Sequence, residues 1–80
     1  MNNDTKCAKK IMKNISNLLL VEQSRLNLTN AGMATKLEIS LSEYDKLINQ
    51  RRKSRYGCSA VTTYKLCHNT NISFEDIYNI

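Results

Sequence analysis

Two short apolar stripes, one directly after the other within Leu28 to Gln50 (LTNAGMATKLEISLSEYDKLINQ), constrain this chain more than any other feature. Met33, Ala34 and Leu37 recur at helical spacing, and after a three-residue break Leu41, Tyr44, Leu47 and Ile48 recur in the same way. Each set lies along one side of a helix, so two apolar stripes can face one another across a tight turn at Glu38-Ile39. Helices joined so closely need a small side chain where they cross. Ala34, four residues before the turn, supplies it.

The helix starts are signed by local chemistry. Ser40 stands at an N-cap with Glu43 three residues on, the pattern of a reciprocal capping box, and Ile39 and Tyr44 flank it as a hydrophobic staple. Ile72, Ser73, Asp76 and Ile77 repeat the arrangement, and Leu28, Thr29 and Met33 give a weaker version. Upstream, the periodicity predicts a first helix over residues 9–25, with Ile11, Ile15, Leu18 and Leu19 on one face and Lys6, Lys9, Lys10 and Lys13 on another. Residues 1–8 read as a disordered tail. The segment from Val21 to Asn27 calls for an extra turn of helix or a looser loop. Downstream, Ser59 is placed to cap a fourth helix in which Ala60, Val61, Tyr64 and Cys67 follow helical spacing beside Leu66, and Asn69-Thr70-Asn71 ends it. A fifth, short helix from Phe74 to about Asn79 would carry Phe74, Ile77 and Tyr78 on one face. With no strand-like alternation, the expected fold is all-α, a compact bundle of five helices forming a single domain over residues 9–80.

Composition narrows the function classes. Eighty residues with 41% apolar content, one Phe and no Trp allow only a modest core. Cys7, Cys58 and Cys67 are odd in number and lack metal-ligand spacing, so the expectation is a reduced compartment, with neither a disulfide framework nor a metal or other cofactor. The longest strictly apolar run, Leu18 to Val21, is far too short to span a bilayer, and MNND is not a signal sequence; a soluble, cytoplasmic chain without a membrane partner is expected. His68 is the single histidine and has no nucleophile or carboxylate partner visible in the sequence, so the chain does not read as an enzyme.

Charge is the stronger clue. There are 12 Lys and Arg against 7 Asp and Glu, a formal charge of +5, and Arg51, Arg52, Lys53 and Arg55 fall in one five-residue run directly after the second motif helix. Without them the chain would be nearly neutral. A basic run is most often a solvated loop, but beside a helix that can enter a groove it suits a phosphate clamp. The lysines of the first helix are accounted for by a solvated face.

The run Leu28-Thr29, Met33-Ala34, Leu37, Ile39-Ser40, Tyr44 and Leu47 resembles the Cro and phage-repressor (XRE-type) class of helix-turn-helix proteins. Leu66-Cys67, Ile72-Ser73 and Phe74-Glu75-Asp76-Ile77 are similar to that family's closing segment, and the two blocks together span Ile15 to Ile77. The resemblance implies a lambda-repressor-like domain with its helix-turn-helix at helices 2 and 3, and a sequence-specific regulator of transcription, a repressor that occludes an operator in double-stranded DNA. Helix 41–50 would lie in the major groove, with Leu41, Ser42, Glu43 and Lys46 toward the bases. Leu41 would meet a thymine methyl, Glu43 a cytosine amine unless the cap consumes it, and Lys46 a guanine or a phosphate; Asp45 reads as merely solvated. Asn30, Ser40, Asn49, Arg51, Arg52, Lys53 and Arg55 would hold the backbone. Members of this class bind palindromic sites as two-fold dimers, and a homodimer here would pair through Phe74, Tyr78 and Ile80 or through the first helix. Tyr78 and Ile80 equally serve to close the core. The family's turn glycines are replaced by Glu38 and Gln50, its usual Leu late in the fourth helix by Thr70, and its usual Glu late in the recognition helix by Ile48. The alternative from another class is an antitoxin or adaptor of the same fold that mainly holds a protein partner, for which Glu43 and Asp45 leave room.

Overall fold

A 24-residue helix gives the fold its axis. The structure, a computed structural model, describes residues 3–50 and 59–79, arranged as α1 (Asn3–Leu26), α2 (Asn30–Leu37), α3 (Leu41–Ile48), α4 (Ala60–Asn69) and α5 (Phe74–Ile77). No strand occurs among the described residues. Among the described residues no helix is long and apolar enough to cross a membrane. Helix α1 begins at Asn3, inside the segment expected to be a tail, and runs one residue beyond Arg25. The extra length before Leu28 is thus taken up as helix.

Ile11, Met12, Ile15 and Leu19 form the buried stripe of α1, and they meet Met33, Ala34 and Leu37 of α2, Tyr44 and Leu47 of α3, Leu66 of α4, and Ile72 and Ile77 around α5. Helices α2 and α3 pack on each other and α3 packs on α1; α5 also rests on α1, while α4 is joined to the body through α2. The expected stripe of α2 is the observed one, and that of α1 holds with Met12 added and Leu18 half-buried. In α3 Tyr44 and Leu47 are buried and Ile48 half-buried, but Leu41, expected in the same stripe, is 52% exposed, because at the first position of the helix it stands at the rim of the buried arc. Each full burial of a Leu or Ile contributes roughly 1.5–3 kcal/mol, which is what makes eight-residue helices viable here when isolated ones would not be.

Three helix ends turn through the left-handed region on residues other than glycine: Asn27 (φ 54°), Glu38 (φ 60°) and Gln50 (φ 54°). At the first, the Leu28 N–H donates to Gln23 O (3.1 Å) and the Asn27 N–H to Ser24 O (3.2 Å); at the second, the Ile39 N–H donates to Ala34 O (3.0 Å) and the Glu38 N–H to Thr35 O (3.1 Å). These are paired Schellman closures. Both turns therefore close without glycine, at a cost of about 1 kcal/mol per side chain forced into this region.

Caps at the other ends follow the sequence closely. Thr29, Ser40, Ser59 and Ser73 accept from the backbone N–H of Gly32, Glu43, Thr62 and Asp76 respectively. The reciprocal box closes in both directions at α5. At α3 the Glu43 N–H donates to Ser40 Oγ at 3.0 Å.

Helix α4 departs from expectation. Its buried residues are Thr62, Thr63 and Leu66, while Val61 (66% exposed) and Tyr64 (51%) face outward and Cys67 is half-buried. Two short-range bonds make the threonines acceptable inside: the Thr63 hydroxyl donates to Ser59 O (2.9 Å) and Ser59 Oγ donates to Thr62 Oγ1 (2.9 Å), leaving their methyl groups to pack. Thr70 donates to Leu66 O (2.6 Å) and accepts from the Ile72 N–H (3.0 Å), ending α4 and starting the approach to α5. Helix α5 stops at Ile77, which alone of its expected stripe is buried; Phe74 and Tyr78 are exposed and stack with ring centres 6.1 Å apart.

Polar side chains of α1 fasten the ends of the short elements. Asn14 Nδ2 donates to Ile77 O (2.9 Å), and buried Ser16 donates to Ile48 O (2.6 Å), the last helical residue of α3. Glu22, only 6% exposed, accepts from the Arg25 Nε–H (2.7 Å) and from the Asn71 N–H (3.1 Å). The Arg25 bond, helped by the Asn71 amide and opposed by burial, lowers the Glu22 carboxyl below its ordinary value.

Replacing Glu38 or Gln50 with Gly should raise unfolding free energy by about 1 kcal/mol each, and Asn27→Gly by less because Asn tolerates this conformation; urea denaturation would measure it. Because the folded-state pKa of Glu22 is depressed, its stabilisation is complete above the ordinary carboxylate range and is lost as pH falls through the lowered value. Glu22→Gln should cost about 2 kcal/mol at neutral pH. The difference from the parent should shrink on acidification in a pH series of thermal melts.

Candidate functional site

On α3, Tyr44 and Leu47 point into the core, so the opposite side of the helix is turned outward. That outer side carries Leu41 (52% exposed), Ser42, Lys46 and Asn49. Leu41 and Ser42 meet the start of α2 across an open concavity of ≈ 680 Å³ whose other walls are Thr29, Asn30, Ala31 and Asp45. The fold thus brings Asn30 together with Leu41 and Ser42, residues far apart on the two helices. Glu43 is half-buried and lies outside this concavity, as does the exposed Lys46. Ser40 is exposed and engaged as the α3 cap, with the Glu43 N–H donating to its Oγ at 3.0 Å.

Asp45 is not the freely solvated acid expected. It is half-buried, lines the concavity, and accepts from Asn49 Nδ2 at 2.9 Å. The same amide donates to Asp45 O (2.9 Å), so Asn49 is tied back to its own helix. The signal was available in the spacing, since Asp45 stands three and four residues after Ser42 and Leu41.

Gln23 is a second participant, and no local pattern announces it. The buried Tyr44 hydroxyl donates to Gln23 Oε1 (2.6 Å), and Gln23 Nε2 donates to Asn30 Oδ1 (2.8 Å). Burial pushes the Tyr44 hydroxyl up to about 12, so it remains a donor throughout the neutral range. Arg51, Arg52, Lys53 and Arg55 lie outside the described residues, as do Gly57, Cys58 and Ile80.

A second concavity, of ≈ 470 Å³, runs along the outer side of α4 and shares no residue with the first. Ala60, Val61, Tyr64, Lys65 and His68 line it together with Glu38 of the α2–α3 turn. Lys65 Nζ donates to Glu38 O (2.9 Å) and Asn69 Nδ2 to Glu38 Oε2 (3.3 Å), while Tyr64 and His68 meet edge to face at 5.1 Å. Cys67, packed against the core, has its thiol pushed up by burial and by Asp76. No His, Cys, Asp or Glu cluster among the described residues could hold a metal ion.

No family model matches the chain, and no curated protein or solved structure matches it. What the chain does must therefore be argued from its own residues.

Proposed function

We propose that this chain is a sequence-specific double-stranded DNA-binding regulator of the helix-turn-helix type, with α2 and α3 as the motif and α3 lying in the major groove. The observation that carries the reading is the shared concavity in which Asn30, at the start of α2, faces Leu41, Ser42 and Asp45 on the first turns of α3. A groove-reading helix needs an outward polar side backed by a fully buried one, with an anion-binding helix N-terminus beside it. Leu41 would contact a thymine methyl, Ser42 would donate or accept, Lys46 would reach guanine or phosphate, and Asp45 joins Glu43 as a candidate acceptor from a cytosine amine.

Backbone grip falls to Asn30 and Ser40 with the basic run Arg51, Arg52, Lys53 and Arg55, which follows α3 directly in the chain, while Asn49, expected among them, has its side-chain N–H groups committed to Asp45. These contacts would position the helix and leave sequence choice to α3. Two copies on a palindrome, with half-sites about one helical turn apart, would compensate for the small surface each offers, and the stacked Phe74 and Tyr78 supply exposed apolar area for pairing. Occupancy of such an operator would repress by excluding polymerase.

A second reading, an antitoxin or adaptor of the same fold, is favoured by one feature: the α4 concavity with exposed Val61 and Tyr64, which the DNA reading leaves unused.

Selection from random duplex DNA at moderate salt should enrich a palindrome. An Arg51→Ala, Arg52→Ala variant should bind it more weakly with unchanged preference. If about five phosphates are neutralised per subunit, log affinity should fall against log salt with a slope of about −4 to −5. Failure to enrich any sequence, together with salt-insensitive capture of a co-encoded protein that Tyr64→Ala abolishes, would replace the regulator with the adaptor.

A further inference from the structure

Asn30 can serve a phosphate only as a donor, yet an asparagine side chain is half donor and half acceptor, and either end can turn outward. In this structure the choice is made by a neighbour on another helix. Gln23 Nε2 donates to Asn30 Oδ1 at 2.8 Å, which occupies the acceptor end and leaves the Nδ2 hydrogens of this exposed side chain for a ligand. Gln23 is itself held, its Oε1 accepting from the Tyr44 hydroxyl at 2.6 Å while its amide nitrogen faces Asn30. Tyr44 is fully buried, so the chain of bonds is anchored on a group that the core holds still.

We infer that Gln23 is a positioning residue for DNA binding: through the chain Tyr44 to Gln23 to Asn30 it presents the Asn30 amide, as a donor, to a backbone phosphate at the start of α2. The inference rests on the DNA-binding reading above and adds a residue on α1 that need not touch DNA itself. It also couples the two sides of α3, because Tyr44 on the core side anchors Gln23, which in turn holds Asn30 in the concavity that Leu41 and Ser42 share.

Two substitutions separate positioning from general support. Gln23→Met removes both bonds at similar length. Gln23→Glu retains an acceptor for Tyr44, and so protects the fold, but offers Asn30 only acceptors, so the Asn30 amide must turn over and present oxygen to the phosphate. On the selected operator, Gln23→Met and Asn30→Ala should each weaken binding by about tenfold to a hundredfold, the scale of one hydrogen bond to a charged group. The double variant Gln23→Met, Asn30→Ala should be no weaker than the worse single variant. Gln23→Glu should be weaker than Gln23→Met, and in an Asn30→Ala background that gap should narrow. In the free protein, the Asn30 side-chain amide resonances should shift in Gln23→Glu while the backbone spectrum of the core stays in place.

Additive losses in the double variant, or parental affinity in Gln23→Met, would overturn the inference while leaving DNA binding intact. A parent protein that enriches no sequence would end the regulator reading and this inference with it. The Asn30 amide shift would then report a purely structural contact.

Discussion

Helices α3 and α5 lean on α1 directly, while α2 reaches it through α3 and α4 through α2. Helices of eight, eight, ten and four residues are below the length at which a helix is stable alone in water, so each must be held by burial and by having its open ends satisfied. The apolar stripe of α1 supplies much of that burial, and its polar residues supply the rest: Asn14 at the end of α5, Ser16 at the end of α3, and Glu22 at the amide of Asn71 before α5. A long helix can do this because side chains on its two shoulders reach different neighbours while its centre line stays buried.

The same device extends from stability to the candidate site. Gln23, one residue after Glu22, sits where α1 passes both the core side of α3 and the start of α2, and it bonds to each. The concavity of Asn30, Leu41 and Ser42 is therefore framed on two short helices but indexed by the long one. The turn between those helices is held from a third direction, with Lys65 of α4 donating to Glu38 O. Carbonyl capping of this kind offsets part of the cost of placing glutamate in the left-handed region.

Much of the architecture could be read in advance because it is locally encoded. The staples at Ile39 and Tyr44 and at Ile72 and Ile77, the caps at Ser40, Ser59 and Ser73, and the stripes of α1 to α3 all rest on fixed spacings within a few residues. Where reading failed, two local signals competed. In α4 the more hydrophobic Val61 and Tyr64 suggested the inner face, yet Thr62 and Thr63 took it, because their hydroxyls find partners at Ser59 within one turn and so can be buried without loss. Start and stop positions also drifted, with α1 beginning at Asn3 and α3 ending at Ile48. Helix ends depend on what caps them, and Ile48 is met by a serine 32 residues away.

The candidate site divides along the same line. The inward facing of Tyr44 and Leu47 and the outward facing of Ser42 and Lys46 are a matter of helical period that the sequence alone determined, whereas Leu41, which the same period put in the apolar stripe, is exposed at its rim. That Asn30 shares a concavity with Leu41 and Ser42, that Asp45 belongs to it while Glu43 and Lys46 do not, and that Gln23 governs the Asn30 amide were decided only by tertiary structure. The physical reason is range. Periodicity and capping act within a turn or two of one chain segment, whereas the bonds from Tyr44 to Gln23 and from Gln23 to Asn30 exist only once three helices have packed into a single register.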